Sequence, residues 1–239
     1  MTRRARSRID GRLFAALIGM LVLVSLLWHT WFIYPLRVLV VFFHELSHGL
    51  AAVVTGGRIV QIQLVAQEGG VCITQGGIRF IILSAGYLGS LVWGGAILLI
   101  AARTRRDRET CIALGALLLI VALIWVRPVL SFGFGFALII GLLLVAAGWK
   151  LSEGVCDFVL KLIGLTSILY VPLDIASDTL MRSYLPSDAR MLAEATGVPT
   201  VIWGSLWILL ALIAGLYFLV LSARTVTPAT SPRPRGSSV

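Results

Sequence analysis

Charge is scarce in this chain. Of its 239 residues only 13% are Asp, Glu, Lys or Arg, while 59% are apolar and the mean hydropathy is +0.98. A soluble domain carries about a quarter charged residues, so a soluble globular protein is excluded. Cysteine is scarce too: Cys72, Cys111 and Cys156 are odd in number and show no CxxC spacing. That removes a disulfide framework and a thiolate zinc site, and leaves free thiols in apolar surroundings. No internal repeat is visible.

What remains is apolar runs with basic flanks. Twenty Lys and Arg against eleven Asp and Glu give a net charge of +9 and a pI near 10.3. In a soluble chain that balance suggests nucleic acid; here the arginines cluster beside apolar runs, where lipid headgroups account for them. The partner implied is the lipid bilayer, not a nucleic acid.

The runs cover Leu13 to about Phe32, Pro35 to Val54, Ile78 to Ala102, Cys111 to Trp125, Leu130 to Trp149, Val155 to Val171 and Pro199 to Ser222. Several reach the roughly 20 residues needed to cross about 30 Å of hydrocarbon. Between Arg58 and Gln75, Val60, Ile62 and Leu64 alternate with Gln61, Gln63 and Val65, and Glu68, Gly69 and Gly70 mark a turn before Val71 to Thr74. That pattern predicts a β-hairpin. The fold expected is an α-helical integral membrane protein of six or seven transmembrane helices, with a short hairpin after the second. A basic segment, residues 1–12, precedes a single core over 13–222, and the Thr-, Ser-, Pro- and Arg-rich tail over 223–239 reads as disordered. A helix start is expected at Ser187 and Asp188.

Within the second run stands His44-Glu45-Leu46-Ser47-His48, an HExxH motif. On a helix, residues i and i+4 share a face, so both imidazoles reach one Zn²⁺ while Glu45 reaches toward the attacking water. At this chain's own frequencies the motif arises by chance roughly once in a thousand such sequences. A carboxylate placed mid-helix also costs on the order of 2.5–3.5 kcal/mol on insertion. Peptide hydrolysis is the chemistry that uses this set.

Two imidazoles leave a catalytic zinc site one ligand short. His29, among Trp28 and Trp31, reads as interfacial, so the third ligand should be a carboxylate: Asp157, Asp174, Asp178, Glu68 or Glu153. Alternating crossings return Asp174 and Asp178 to the side on which the His44 helix ends. Glu153 and Asp157 fall on the far side, and Glu68 lies in the hairpin turn.

At these residues the chain resembles the site-2 protease family of intramembrane zinc metallopeptidases, and within it the small M50B-like branch that consists of little besides the membrane core. The resemblance runs through HELSHGLAAVVTGG, the hairpin, AGYLGS at Ala85 to Ser90, LDIASD at Leu173 to Asp178 and SDA at Ser187 to Ala189. It implies zinc on His44, His48 and an aspartate, with Glu45 as general base. The family's second motif has an Asn before Pro-x-Asp-Gly. Here Pro172-Leu173-Asp174 is followed by Ile175, and no Asn occurs in the chain. Pro172 matches the spacing, which favours Asp174, with Asp178 as alternative or supporting residue. The resemblance also gives the strand Val60, Gln61, Ile62, Gln63, Leu64 a use as an edge that captures an unwound substrate segment by β-augmentation.

The function implied is an intramembrane zinc endopeptidase acting on a membrane-anchored protein, with a bacterial cytoplasmic membrane as the expected location. The rival readings are a catalytically silent scaffold or chaperone of the same fold and a small transporter, against which the lack of other buried charge and of repeat symmetry counts. With seven crossings, Lys and Arg divide ten against nine between the two sides, so charge leaves the orientation open. The resemblance places the end of the His44 helix on the cytoplasmic side.

Overall fold

The computed structural model describes residues 7–181 and 186–226. In chain order these form β1 (Ser7–Ile9), α1 (Gly11–Leu26), α2 (Tyr34–Val54), β2 (Arg58–Val65), β3 (Gly69–Gln75), α3 (Arg79–Arg103), α4 (Asp107–Trp125), α5 (Phe132–Lys150) and α6 (Glu153–Ala176). A π turn (Ser177–Met181) follows, then α7 (Asp188–Thr196), α8 (Thr200–Ser222) and β4 (Arg224–Val226). Among the described residues six helices are long and apolar enough to cross a membrane: α2, α3, α4, α5, α6 with its π turn, and α8. The protein is a multi-pass α-helical membrane protein.

α2 opens with Pro35 in its first turn, where a missing N–H costs nothing. It ends at Thr55, and Gly56 takes a left-handed φ of +88° that turns the chain into the hairpin. The hairpin matches its expected bounds, antiparallel from Arg58↔Gln75 to Val65↔Gly69. At its tip Arg37 pairs with Glu68 at 2.9 Å and lies over the Trp28 ring at 5.5 Å.

Two expectations fail. The run from Leu13 to Phe32 does not stay helical: α1 stops at Leu26, and its 16 residues reach about 24 Å, short of the hydrocarbon thickness. Residues 27–33 form turns, with the Thr30 hydroxyl donating to the Leu27 carbonyl. Nor is the whole tail irregular, for β1 and β4 pair antiparallel from Ser7↔Val226 to Ile9↔Arg224. That pairing puts the two end segments on one side of the membrane, so the number of crossings is even and a count of seven is excluded. The rest of the tail lies outside the described residues.

Two apolar clusters hold the bundle. One gathers α2 with α4, α5 and β2 around Phe42, Phe43, Leu118 and Ile62. The other gathers α1, α3, α6, α7 and α8 around Tyr87, Leu165, Ile175 and Trp207. The functional residues lie between them.

Candidate metal centre

His44 and His48 stand one turn apart on the face of α2 that α3 covers. Contact this close needs glycine. A Cβ on Gly86 would lie 2.4 Å from His44 Nε2 and 2.6 Å from His48 Cε1, and one on Gly89 would lie 2.3 Å from Ser47 Oγ. The AGYLGS stretch thus leaves room for the imidazoles and brings Tyr87 edge-on to His44, ring centroids 5.0 Å apart at 81°.

The carboxylate that meets both imidazoles is Asp188, on the first turn of α7. Its Oδ2 lies 2.9 Å from His44 Nε2 and 3.1 Å from His48 Nε2. Among the described residues His44, His48 and Asp188 form the one group of three able to hold a metal ion, their ligand atoms all within 4.8 Å of one another. α7 begins where expected, Ser187 capping it by accepting from the Arg190 N–H. Its apolar side, Ala189 and Leu192, is fully buried and fixes how Asp188 points. Burial would lift the Asp188 carboxyl, but the imidazoles of His48 and His44 outweigh it and hold the group well below the usual carboxylate range.

The donor chemistry fits a cation. His48 Nδ1–H donates to the Ile82 carbonyl at 2.7 Å. In the neutral ring Nε2 then presents only a lone pair to an Asp188 oxygen that is itself an acceptor. Two acceptors 3.1 Å apart repel unless a proton or a cation lies between them. Two imidazoles and one carboxylate are also a three-ligand set suited to Zn²⁺, with the fourth position open.

Glu45 is buried next to this group, packed against the hairpin. A Cβ on Gly70 would stand 2.6 Å from Glu45 Oε1, so β3 needs glycine there. The Cys72 backbone hydrogen-bonds to the Glu45 carboxylate. Burial and the Glu45 charge push the Cys72 thiol up to about 12, which leaves it protonated and inert.

A cavity of about 750 Å³ opens on these groups, lined by His44, Glu45, His48 and Asp188 and by the hairpin from Gln67 to Thr74. Asp174, expected as the third ligand, lines this cavity but is outside the His44–His48–Asp188 group. Asp178 accepts from the Tyr87 hydroxyl at 2.6 Å, which ties the π turn to α3. Glu153 and Asp157 are at the other end of the bundle, where Glu153 accepts the Asp107 N–H and Asp157 pairs with Lys161. His29 is an exposed residue of the turns after α1.

The edge strand also differs from expectation. β2, with Val60, Gln61, Ile62, Gln63 and Leu64, is the inner strand, and none of these residues lines the cavity. On its outer side the Ile62 carbonyl accepts the Arg127 N–H at 3.0 Å, and Ile62 bridges to Val126. Since Ile62 turns its backbone groups away from β3, its partner Cys72 turns its own away from β2. By alternation Gly70 does the same. The strand with a free edge toward the cavity is β3.

Asp188 was missed because Ser187–Asp188 has the signature of an ordinary helix start, acid in the first turn included. The signal available was SDA itself, on the same side of the membrane as the end of α2. A family model described as peptidase M50B-like matches residues 17–218. No curated protein and no solved structure matches the chain.

Proposed function

The chain belongs to the peptidase M50B-like family, and from that premise we propose that it is an intramembrane zinc endopeptidase that cleaves a membrane-anchored protein within or beside its transmembrane segment. The observation that carries this reading is the convergence of His44, His48 and Asp188 beside a buried Glu45, on a cavity bordered by a free strand edge.

His44, His48 and Asp188 would hold the ion. Zn²⁺ bound there supplies Lewis acidity toward a peptide carbonyl and makes water a nucleophile near neutral pH. Glu45 takes the proton from the attacking water and delivers it to the leaving amide nitrogen. Its burial against Gly70 and the Cys72 backbone fixes the carboxylate before substrate arrives. His48 is held in one orientation by the Ile82 carbonyl. A substrate helix must unwind to expose a peptide bond, and the outward N–H and C=O of Gly70 and the outward C=O of Cys72, whose N–H is taken by Glu45, offer the extended segment a partner strand. The capture role expected of β2 passes to β3.

The test is Glu45→Gln, which keeps the shape of the side chain and removes the base. Zinc content measured on purified protein should be unchanged while cleavage of a single-pass substrate is lost. Cleavage at the wild-type rate by Glu45→Gln would refute this mechanism.

A further inference from the structure

The orientation of the cleft follows from which helix ends the structure gathers together. At one end β1 pairs with β4, the Asp10 N–H donates to the Ala223 carbonyl at 2.8 Å, and the Arg103 guanidinium donates to the Leu221 carbonyl at 2.6 Å. Arg108 donates to the Gly148 and Trp149 carbonyls, and the Asp107 N–H donates to Glu153. This terminal end therefore holds the starts of α1, α4 and α6 and the finishes of α3, α5 and α8. The opposite end holds the base of the hairpin, the start of α3, the π turn, α7 and the start of α8. There Ile78 N–H donates to Thr55, Trp203 donates to Thr196, and Gly204 abuts Thr179. The cavity belongs to this second end, its lining including exposed Gly76, Arg79 and Pro186.

With the ends sorted, the charges separate. Among the described residues Arg8, Arg12, the four arginines from Arg103 to Arg108, Lys150 and Arg224 stand at the terminal end, eight in all. Arg58, Arg79, Arg127 and Arg190 stand at the cleft end, four in all. In the sequence Arg3, Arg4 and Arg6 run on directly before Ser7, and Arg233 and Arg235 follow Val226, while only Arg182 falls between α6 and α7. Arg37 and Lys161 lie within helices and pair with Glu68 and Asp157. Lys and Arg in short segments near membrane helices are retained on the cytoplasmic side.

We infer that the terminal end faces the cytoplasm and that the cleft opens toward the non-cytoplasmic face, so that a substrate presents its scissile segment from the non-cytoplasmic half of the bilayer. The orientation is the reverse of the one the resemblance implies. The near-even count came from setting the two end segments on opposite sides, which the β1–β4 pairing forbids. The substrate statement rests on the proteolytic reading; the orientation does not.

The experiment reads topology without activity. Glu194→Cys on the exposed side of α7 and Arg105→Cys between α3 and α4 are expressed in a bacterial inner membrane and treated, in intact cells with an opened outer membrane, with a membrane-impermeant maleimide. The wild type sets the background of native thiols. Glu194→Cys should label in intact cells, and Arg105→Cys only after the inner membrane is permeabilised; any other pattern overturns the orientation. A fluorescent reporter that matures only in the cytoplasm, fused after Val239 of the otherwise unaltered chain, should fluoresce, and a dark but full-length fusion overturns it independently of the cysteine variants. Mapping the cut in a cleaved single-pass substrate should place it in the non-cytoplasmic half of the span. A cut in the cytoplasmic half refutes the substrate statement, whereas absence of any cleavage counts against the proteolytic reading and leaves the labelling result standing.

Discussion

Among the helix pairs of this bundle that use glycine at their interface, two do so to different ends. Between α2 and α3, Gly86 and Gly89 make room for the side chains of His44, His48 and Ser47. Between α4 and α5 the glycines meet backbone: a Cβ on Gly115 would lie 2.5 Å from the Gly141 carbonyl oxygen, and one on Gly148 would lie 2.4 Å from the Arg108 carbonyl oxygen. α4 from Cys111 to Trp125 and α5 up to Trp149 carry no ionisable residue besides Cys111. Apolar helices gain nothing from the hydrophobic effect when they pair in lipid, so close backbone packing has to hold them. In the first pair the missing Cβ serves chemistry, and in the second it serves cohesion.

The sharpest way to break this contrast is at the ligand. Asp188→Ala should abolish zinc binding, measured as metal content of purified protein, whereas Asp174→Ala should retain the metal; the opposite pattern would return the ligand role to Asp174. Next in size is Gly86→Ala. A Cβ pressed against both imidazoles should lower zinc affinity about 10–100-fold, as disturbed supporting contacts do at metal sites, and unchanged affinity would show that the rings move aside freely. Tyr87→Phe removes the donor to Asp178 at the π turn and should cost about 10-fold in cleavage rate with zinc retained. Gly115→Ala should have the smallest effect on the site. Thermal unfolding should show a loss of about 1–3 kcal/mol from overpacking, with zinc content per folded molecule unchanged, and a loss of metal there would erase the distinction between the pairs.

The regular elements were legible in the sequence because their signals are local. The HExxH helix, the hairpin and the helix start at Ser187 all lie where periodicity, turn residues and capping put them. The third carboxylate was not legible. Asp188 lies 144 positions from His44, and its neighbours describe a capped helix start whether or not an imidazole waits opposite. Pro172 and Asp174 offered a familiar spacing, yet the structure sets Asp174 on the cavity wall beyond the ligand group. The inner place of β2 was equally hidden. It depends on Val126 and Arg127 docking along one side of the hairpin, a contact that no property of residues 58–75 announces.

The position of Asp188 on α7 makes the centre a fastener. α7 has nine residues, too few for an isolated helix to persist in water, and it buries only Asp188, Ala189 and Leu192 against the bundle. A cation shared with α2 would clasp this short segment to a helix near the other end of the chain. At a free ion concentration 100 times the dissociation constant, that linkage contributes about 2.7 kcal/mol toward the docked form. Chelation should therefore loosen α7 before the bundle itself gives way, and tryptic cleavage after Arg190 would make filling of the centre visible as protection of a single peptide bond.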